Sequence, residues 1–459
     1  MFAPADIVAI HEAALQVLAQ TGVVVMDDDA IALFKTVGAR ADGQRVFIAR
    51  DAVERALASA PSAFTLSGRN PARDLRFGEG RPVFGSGSGP AYILDGSVVR
   101  PGTLADAQAT VKLGHLSRGL EFNSDCIEPL DLPEDERTRR SDHARLTLSD
   151  KSMEWTASLE HDVDEAVTIN EILYGARWAD RPRALIVLNT NSPLLLSVET
   201  ARILQRWAGL GQPACVTACV MGGATGPATP AGTLTVQHAE VLAGLVLGQA
   251  AREGSPFIYG GVSTMSSMRT GAAHFGTPEF ALMANATVRL AHHAGLPVRA
   301  GAAVTDSHVP DAQAALESTM GLSASASAGG DFLFQAAGIL SSFNVLSLEK
   351  FVLDDELICA LRVAAATAAA DDEALATDVI AAVGPGGDYL GQSHTRRHGR
   401  DLDRPTFLVR ESAERWRAQG DGDVRAAARA EVERRLAAHE PPDDLDSVTR
   451  RQLDEYCLR

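Results

Sequence analysis

The chain has 459 residues, of which 46% are hydrophobic and 22% are charged, a balance typical of folded globular proteins and long enough for a large barrel with terminal additions. The formal net charge of −17 excludes a general binder of nucleic acid or of anionic membranes, because phosphate groups are bound by basic patches. The same acidic balance is compatible with a cationic small molecule as ligand.

The cysteines and the N-terminus indicate a reducing compartment. The five cysteines are odd in number and scattered, which disfavours a disulfide framework. Cys215 and Cys219 are four residues apart, which places both on one face of a strand, so we interpret them as core residues rather than a metal pair. Residues 1–22 are amphipathic and contain Asp6 and Glu12, unlike a signal peptide. We therefore expect a cytoplasmic protein.

An N-terminal layer is predicted over residues 1–80, with helical patterns at 5–20, 28–37 and 51–58. After it one pattern repeats: a short apolar run, a polar loop and an amphipathic helix. The apolar runs, which we interpret as strands, cover 81–87, 120–126, 152–157, 184–190, 213–220, 256–262, 297–304 and 330–336. The helical patterns cover 104–118, 135–149, 163–178, 197–208, 230–252, 277–294, 310–327 and 346–370.

Eight strands that alternate with eight helices predict an α/β protein, a (β/α)8 TIM barrel over residues 81–375. A doubly wound open sheet is the alternative, and the near-regular spacing of the eight units favours the barrel. Residues 91–103 add a hairpin whose turn is the pair Asp95-Gly96. Residues 376–459 are predicted to form a Gly- and His-rich loop followed by helices, including a charged helix at 410–438.

In such barrels the active site lies at the carboxyl ends of the strands, so the loop starts that follow the predicted strands form the candidate site. This ring is polar and Gly-rich, without a Ser-His-Asp order and without a lysine placed for a Schiff base. The loop starts lie at Gly85, Asn123, Trp155, Asn189, Met221, Ser263, Thr305 and Gln335.

Two readings, a metal site and a nucleotide loop, are disfavoured. His394 and His398 are four residues apart, the spacing of a zinc pair on a helix, but Thr-Arg-Arg separates them instead of the Glu-x-x of zincins. We interpret the pair as part of a lid, substrate-facing or structural, and predict no metal site. The glycine string at 387–393 carries Gln392 where a P-loop has its lysine, and the one at 85–89 precedes a strand rather than a helix.

Five motifs in order then carry a family resemblance, at 222–244, 269–280, 305–318, 347–356 and 384–398. They read GGATGPATPAGTLTVQHAEVLAG, RTGAAHFGTPEF, TDSHVPDAQAALES, SLEKFVLDDE and GPGGDYLGQSHTRRH. Together they closely resemble the trimethylamine methyltransferase family, with agreeing spacing from about residue 5 to the C-terminus. The resemblance implies a barrel that passes a methyl group from a methylated amine to the cobalt of a separate corrinoid protein.

The founding members of that family use pyrrolysine, whereas this chain contains only standard residues. It therefore resembles the pyrrolysine-free branch, whose known members demethylate quaternary amines such as glycine betaine. In many relatives a histidine occupies the position of Gln335. Because of this difference, the resemblance alone does not identify the substrate. The string Asp306–Asp311 lacks the glycine of the corrinoid-binding DxHxxG signature. We therefore expect no cofactor on this chain, a corrinoid carried by a partner protein, and a homo-oligomer.

The chemistry of a quaternary amine selects the candidate residues. Aromatic faces bind N-methyl groups by cation–π contact, for which core packing is the alternative role. Amide, imidazole and guanidinium groups, the last supplied here by Arg396, can bind a carboxylate. Acidic side chains either favour a cationic ligand or cap helices. We predict as catalytic residues Asp306, Glu349 and Gln335. We predict as substrate-binding residues His394, His398, Asn189, Asn191, Asp95, Tyr92, Trp155, Phe334, Phe343 and Tyr389.

Three functional hypotheses follow from these residues and the resemblance. The first is a corrinoid-dependent amine methyltransferase, serving methanogenesis-related or other one-carbon metabolism. The second is a family barrel with another methyl acceptor such as a folate. The third is a non-catalytic relative that binds quaternary amines. A methyl-transfer assay separates the enzyme hypotheses from the third.

Overall fold

The computed structural model describes residues 1–301, 303–366, 369–402, 406–418, 420 and 422–459. Position 302 of the predicted strand 297–304 and positions 367 and 368 of the predicted helix 346–370 lie outside the described residues. Positions 419 and 421 of the predicted helix 410–438 also lie outside them.

The α-helices of the described residues are α1 Pro4–Gln20, α2 Asp28–Thr36, α3 Arg50–Ser59, α4 Leu104–Leu116, α5 Glu134–Leu148, α6 Glu160–Tyr174, α7 Val198–Gly209, α8 Pro230–Ala251, α9 Pro278–His293, α10 Ala312–Ser327, α11 Leu348–Ala365, α12 Asp372–Leu375, α13 Thr377–Val383, α14 Ser393–Leu402, α15 Ala413–Ala418, α16 Val424–Ala438 and α17 Ser447–Cys457. The helices predicted between residues 5 and 370 are confirmed to within a few residues at most ends.

The strands of the described residues are β1 Val23–Val25, β2 Arg40–Asp42, β3 Arg45–Phe47, β4 Phe64–Leu66, β5 Leu75–Phe77, β6 Val83–Phe84, β7 Tyr92–Asp95, β8 Val98–Pro101, β9 Glu154–Trp155, β10 Leu185–Asn189, β11 Leu195–Leu196, β12 Ala214–Ala218, β13 Met221–Gly222, β14 Phe257–Gly261, β15 Thr264–Ser266, β16 Ala273–His274, β17 Val298–Ala300, β18 Phe332–Leu333, β19 Ile339–Leu340 and β20 Val345–Leu346.

A curled parallel sheet of seven strands forms the centre of the fold, in the order β6-β18-β17-β14-β12-β10-β9. Its strands are nearly continuous apolar runs, and β12 and β14 are buried along their whole length, as expected where helices cover a parallel sheet. Next to its two edges, single parallel bridges join Phe122 to Gly85 and Asn123 to Met153. The predicted α/β class with a parallel central sheet is therefore confirmed.

Most of the helices that follow the central strands begin at a side-chain cap. The cap oxygen accepts a hydrogen bond from a backbone N–H of the first turn, which satisfies a donor that the helix itself leaves free. Prolines follow two of these caps, at the first helical position, where the missing N–H costs nothing. The caps are Thr103, Ser197, Thr229, Thr277, Asp311 and Ser347.

The N-terminal elements pack on the outside of the central sheet. Helices α1 and α3 pack against α8, which is buried along most of its length. Strand β1 pairs in parallel with β11 and antiparallel with β3, so this layer shares a small sheet with the chain that follows β10. The predicted hairpin at 91–103 is confirmed by the antiparallel pairing of β7 with β8.

The C-terminal region differs from the prediction in two places. Helices α13 and α14 lie in the stretch predicted as a Gly- and His-rich loop, so that only the glycine-rich residues 384–392 between them remain without a helix. The single charged helix predicted at 410–438 is wrong: two helices, α15 and α16, occupy this stretch. Gly420 has φ +99°, which no continuous right-handed helix permits, and the carboxylate of Asp423 caps the start of α16. Among the described residues, no helix combines the length and the apolar character that crossing a membrane requires.

Candidate functional site

A cavity of about 820 Å³ opens at the carboxyl ends of the central strands. This is the edge at which parallel α/β sheets bind ligands, because the loops that follow the strands converge there. Central strands and the loops after them supply much of its wall, and α5 closes one side. The side chains used below are Asp125, Arg145, Glu154, Trp155, Asn189, Phe275, Arg299, Phe334, Gln335 and Phe343.

Arg299, in β17, is a buried cation without an anionic partner. Its Nη2 donates to Oε1 of Gln335, a neutral amide, while its Nε and Nη1 have no acceptor. Burial lowers the pKa of Arg299, but a guanidinium remains protonated at neutral pH. Among the described residues no carboxylate forms an ion pair with it. A buried charge of this kind is costly unless an anion compensates it.

Glu154, in β9, is the matching buried anion. Its Oε2 has no hydrogen-bond partner, and although the Ser88 side chain hydrogen-bonds the carboxyl group, no described cation forms an ion pair with it. Burial raises the pKa of Glu154 to about 7, because the charged form loses its hydration. Three strands, β10, β12 and β14, separate β9 from β17 in the sheet. The cavity thus contains a carboxyl group and a guanidinium that do not satisfy each other.

Arg145, from α5, is a second buried cation in the wall, and it is paired. Its Nη2 donates to the carboxylate of Asp142 and, at 3.1 Å, to the hydroxyl of Thr156. Its Nη1 lies 3.7 Å from Oδ1 of Asp125. Burial raises the pKa of Asp142 to about 7. Because these partners occupy Arg145, its charge is less available to a ligand than that of Arg299.

Aromatic rings form the apolar part of the wall. Phe275 meets Phe343 edge to face, with 4.7 Å between the ring centroids and an angle of 89°. Phe334 and Trp155 are almost fully buried and also belong to the hydrophobic core. Phe334 and Trp155 therefore pack in the hydrophobic core, which was the alternative role considered for them, and they also border the cavity.

Gln335 follows β18 and fixes the guanidinium of Arg299. Its Nε2 donates to the carbonyl of Ser88 at 3.0 Å, which turns its Oε1 toward Arg299. A Cβ atom at Gly87 would lie 2.4 Å from Cα of Gln335, so the close approach of these two segments requires glycine. Gln335 is thus placed to orient Arg299 rather than to transfer protons.

Asp306 holds two loops of the cavity wall without lining it. Its carboxylate accepts hydrogen bonds from the backbone N–H of Phe275 at 2.9 Å and of Gly276 at 3.2 Å. It also accepts from the hydroxyl of Ser342 at 2.6 Å, beside Phe343. Both rings of the edge-to-face pair are therefore attached to one carboxylate.

We expect Asp306→Ala to weaken ligand binding by about tenfold, because the two loops lose their shared acceptor and each unpaired buried donor costs about 1–3 kcal/mol. Isothermal titration with a quaternary amine measures this loss. Asp306→Asn keeps an acceptor oxygen and is expected to recover part of the affinity. Equal affinity of Asp306→Ala and the unsubstituted protein would contradict this positioning role.

Several predicted site residues lie outside the cavity wall. Asp95 forms an ion pair with Arg100 at 3.1 Å beside the hairpin turn. Tyr92 is exposed on β7, and Asn191 forms an isolated bridge with Leu195. Glu349 pairs with Arg429 at 3.0 Å, which joins the start of α11 to α16. The contacts of Asp95, Asn191 and Glu349 give these three a role in the framework.

Three further predicted residues belong to the C-terminal region. His394 and His398 lie on α14 beside Glu373 of α12, and Tyr389 lies exposed in the loop before α14. The structure brings the two histidines together but does not bring them to the cavity wall. Of the predicted residues, those in the wall are Asn189, Trp155, Phe334, Gln335 and Phe343.

Sequence reasoning missed Arg299, Glu154 and Phe275. The first two carry a detectable signal, because a charged residue inside a buried parallel strand is rare unless it is paired or functional. Both lie inside predicted strands, at 297–304 and 152–157, whereas the candidate site was predicted in the loops that follow the strands. Phe275 carries no such signal, since its position depends on Asp306, 31 residues away in the chain.

The chain is similar to known methyltransferases along nearly its whole length. The family model described as Trimethylamine methyltransferase (MTTB) matches residues 1–459. A glycine betaine methyltransferase of Desulfitobacterium hafniense is 36% identical over 94% of this chain and 91% of its own. A proline betaine:corrinoid methyltransferase of Eubacterium limosum is 32% identical, over 98% of this chain and 94% of its own. The chain belongs to the trimethylamine methyltransferase family.

Two further proteins are similar to this chain. A trimethylamine methyltransferase of Methanosarcina mazei is 30% identical over 97% of this chain and 92% of its own. The crystal structure of a monomethylamine methyltransferase of Methanosarcina barkeri superposes with a TM-score of 0.50 at 11% identity, covering 94% of this chain and 87% of that one. This last likeness concerns the fold alone.

Proposed function

We propose that this chain transfers a methyl group from a betaine, a quaternary amine that carries a carboxylate, to Co(I) of a corrinoid held by a separate protein. The single observation that carries the proposal is the unpaired guanidinium of Arg299 in the same cavity as the unpaired carboxyl group of Glu154. A zwitterion satisfies both groups at once. The names of the betaine methyltransferases among the relatives agree with this substrate class.

The carboxylate end of the substrate is assigned to Arg299. Its planar fork of N–H groups matches a carboxylate, and charge-assisted bonds of this kind are among the strongest in proteins. Gln335 holds the guanidinium in place through its side-chain oxygen. A trimethylamine molecule, which has no carboxylate, leaves Arg299 uncompensated and is expected to bind less tightly.

The ammonium end is assigned to Glu154 and the aromatic rings. A quaternary ammonium has no N–H, so it is bound by charge and by the electron-rich faces of rings, at about 0.5–2 kcal/mol for each ring. Phe275 and Phe343, which meet edge to face, lie in the wall of the same cavity. These residues hold the cation while its N-methyl groups project toward the cavity mouth.

The reaction needs little acid–base help from the protein. Co(I) of the corrinoid supplies a nucleophile that forms a bond to the methyl carbon as the C–N bond breaks, and the electron pair of that bond leaves with the neutral tertiary amine. The residues of this chain bind and orient the betaine and exclude water. Neutralisation of the amine also removes its attraction to Glu154, which favours release of the product.

We further propose that the central sheet is a closed (β/α)8 barrel. The segment around Phe122 and Asn123 supplies the eighth strand between β6 and β9, supported by the two parallel bridges that join it to Gly85 and Met153. With this strand included, β9 and β17 lie on opposite sides of the barrel mouth, so Glu154 and Arg299 face each other across the substrate. The barrel is proposed to span residues 81–375.

A methyl-transfer assay tests the proposed function directly. The purified chain is mixed with Co(I) cobalamin and either glycine betaine, proline betaine or trimethylamine, and methylation is followed by the absorbance change of the cobalt. We expect turnover with a betaine, faster than with trimethylamine. Binding of a betaine without turnover, with free Co(I) cobalamin and with candidate corrinoid proteins alike, would support a non-catalytic relative instead.

The titration of Glu154 predicts a pH dependence of ligand binding. Its pKa of about 7 means that the carboxylate form, which attracts the ammonium, is lost as the pH falls through 7. We expect the Kd for glycine betaine to be about tenfold higher at pH 6 than at pH 8, because only the competent fraction binds. Isothermal titration at both pH values measures the ratio.

Two variants distinguish the titration of Glu154 from that of Asp142. Glu154→Gln keeps the shape of the side chain without its charge, and we expect its Kd to be the same at both pH values. Asp142→Asn removes another carboxyl group that titrates near pH 7. We expect this variant to keep the dependence. A ratio that persists in Glu154→Gln would contradict the assignment.

A further inference from the structure

The C-terminal region brings three potential metal ligands together, away from the cavity. His394 and His398 lie one turn apart on α14, and their ring centroids are 4.4 Å apart. Glu373, on α12, approaches both: Nε2 of His398 lies 3.3 Å from its Oε1, and Nε2 of His394 lies 3.1 Å from its carbonyl oxygen. One ligand atom from each of the three residues lies within 4.8 Å of the others.

This geometry is close to that of a coordinated ion. Zinc binds imidazole nitrogen and carboxylate oxygen at about 2.0–2.2 Å, which separates tetrahedral ligand atoms by roughly 3.3–3.6 Å. Small rotations of exposed or half-exposed side chains bring the three atoms to that spacing. Two imidazoles and one carboxylate suit Zn²⁺, whereas Mg²⁺ and Ca²⁺ prefer oxygen ligands alone. Water completes the coordination at the fourth position.

The ion pair between Arg397 and Glu373 is compatible with a bound metal ion. Arg397 donates to Oε1 of Glu373 at 2.7 Å, the same oxygen that His398 approaches. Both bonds from Arg397, through Nε and Nη2, go to this one oxygen of the carboxylate. Since a carboxylate has two oxygens, Glu373 can bind a metal through Oε2 while Arg397 remains bound to Oε1.

We propose that Glu373, His394 and His398 form a binding site for a transition-metal ion of the Zn²⁺ class. The metal joins α14 to α12 and so closes the chain between them, which includes α13 and the glycine-rich segment at 384–391. A metal that ties two segments of one chain together restricts the open forms of that loop. The site is structural in this proposal, separate from the chemistry at the sheet.

Metal titration of the untagged, chelator-treated full-length chain tests the proposal. We expect one equivalent of Zn²⁺ by isothermal titration at pH 7.5, and Co²⁺ in its place to give the visible absorption of a tetrahedral site. His394→Ala, His398→Ala and Glu373→Gln each remove one ligand. Loss of a residue that only supports a metal ligand weakens metal binding by roughly 10–100-fold. Because each of these variants removes a ligand itself, we expect Zn²⁺ binding to weaken by at least that factor.

Two control variants distinguish a metal site from an ion pair. Arg397→Ala breaks the ion pair with Glu373 but removes no ligand, and it is expected to bind Zn²⁺ as the unsubstituted chain does. His161→Ala removes an exposed histidine elsewhere, on α6, with the same expectation. Absence of a stoichiometric metal from the unsubstituted chain, or equal Zn²⁺ affinity in the three ligand variants, would overturn the proposal. Circular dichroism establishes that each variant is folded.

Discussion

Replacing Arg299 with methionine is expected to weaken the binding of glycine betaine by about 30-fold or more. Truncating one partner of a buried, hydrogen-bonded charge pair costs about 2–5 kcal/mol, and each 1.4 kcal/mol is a factor of about ten in Kd. The carboxylate of the bound betaine loses its guanidinium partner. Isothermal titration of both proteins at pH 8 measures the ratio of their Kd values.

The stability of the same variant provides its control. Because Arg299 has no anionic partner without ligand, methionine removes an uncompensated buried charge, and the melting temperature of the ligand-free protein is expected to stay equal or rise. Arg299→Lys keeps the charge without the planar fork and is expected to bind with intermediate affinity. A lower melting temperature combined with unchanged betaine affinity would mean that Arg299 serves the fold instead.

Replacing Lys350 with methionine is expected to lower the free energy of unfolding by about 3–5 kcal/mol, the cost of breaking a buried ion pair. The ammonium of Lys350, in α11, donates to Asp354 at 2.7 Å, to the hydroxyl of Ser318 at 2.8 Å and to the carbonyl of Ala303 at 2.9 Å. Methionine leaves the buried carboxylate of Asp354 without a cation. Denaturation in urea measures the change.

This network matters because it joins separate segments near the site. Asp354 also accepts from the backbone N–H of Gly338 at 2.8 Å, so α10, α11 and the loops after β17 and β18 meet at one ion pair. Lys35→Met, on the exposed side of α2, is the matched control and is expected to change stability by less than about 0.5 kcal/mol. Equal stability of Lys350→Met and the unsubstituted protein would contradict the proposed role of the pair.

The alternation of strands and helices was predictable because its signal is local. Each apolar run and each amphipathic stretch carries its own periodicity. Seven of the eight predicted strands lie in the parallel sheet of the described residues, whereas the eighth, at 120–126, forms only isolated bridges. The glycine-induced break between α15 and α16 was missed although its signal is equally local: Gly420 and Gly422 interrupt the charged stretch at 410–438.

The site was predictable only in part. The rule that ligands bind beyond the carboxyl ends of strands selected Trp155, Asn189 and Gln335, which all lie in the wall. The same rule directed attention away from Arg299, which lies within its strand and reaches the cavity from below the loops. The other residues of the cavity wall are brought there by contacts between segments that are distant in the chain.

Asp306 illustrates why such contacts escape a reading of the sequence. Predicted as catalytic, it supports the loop around Phe275 through hydrogen bonds that span 31 residues. Its residue type and its place after a strand are the same for a catalytic and a supporting carboxylate. The pairing of Glu373 with His398, 25 residues apart, is equally invisible in the local spacing.

The most direct test of the account is a comparison of glycine betaine with its methyl ester on the unsubstituted chain and on Arg299→Met. The ester keeps the quaternary ammonium but lacks the anionic carboxylate. We predict that the unsubstituted chain prefers glycine betaine by at least about 30-fold, and that Arg299→Met binds both ligands with similar affinity. A preference of the same size in both proteins would contradict recognition of the carboxylate by Arg299.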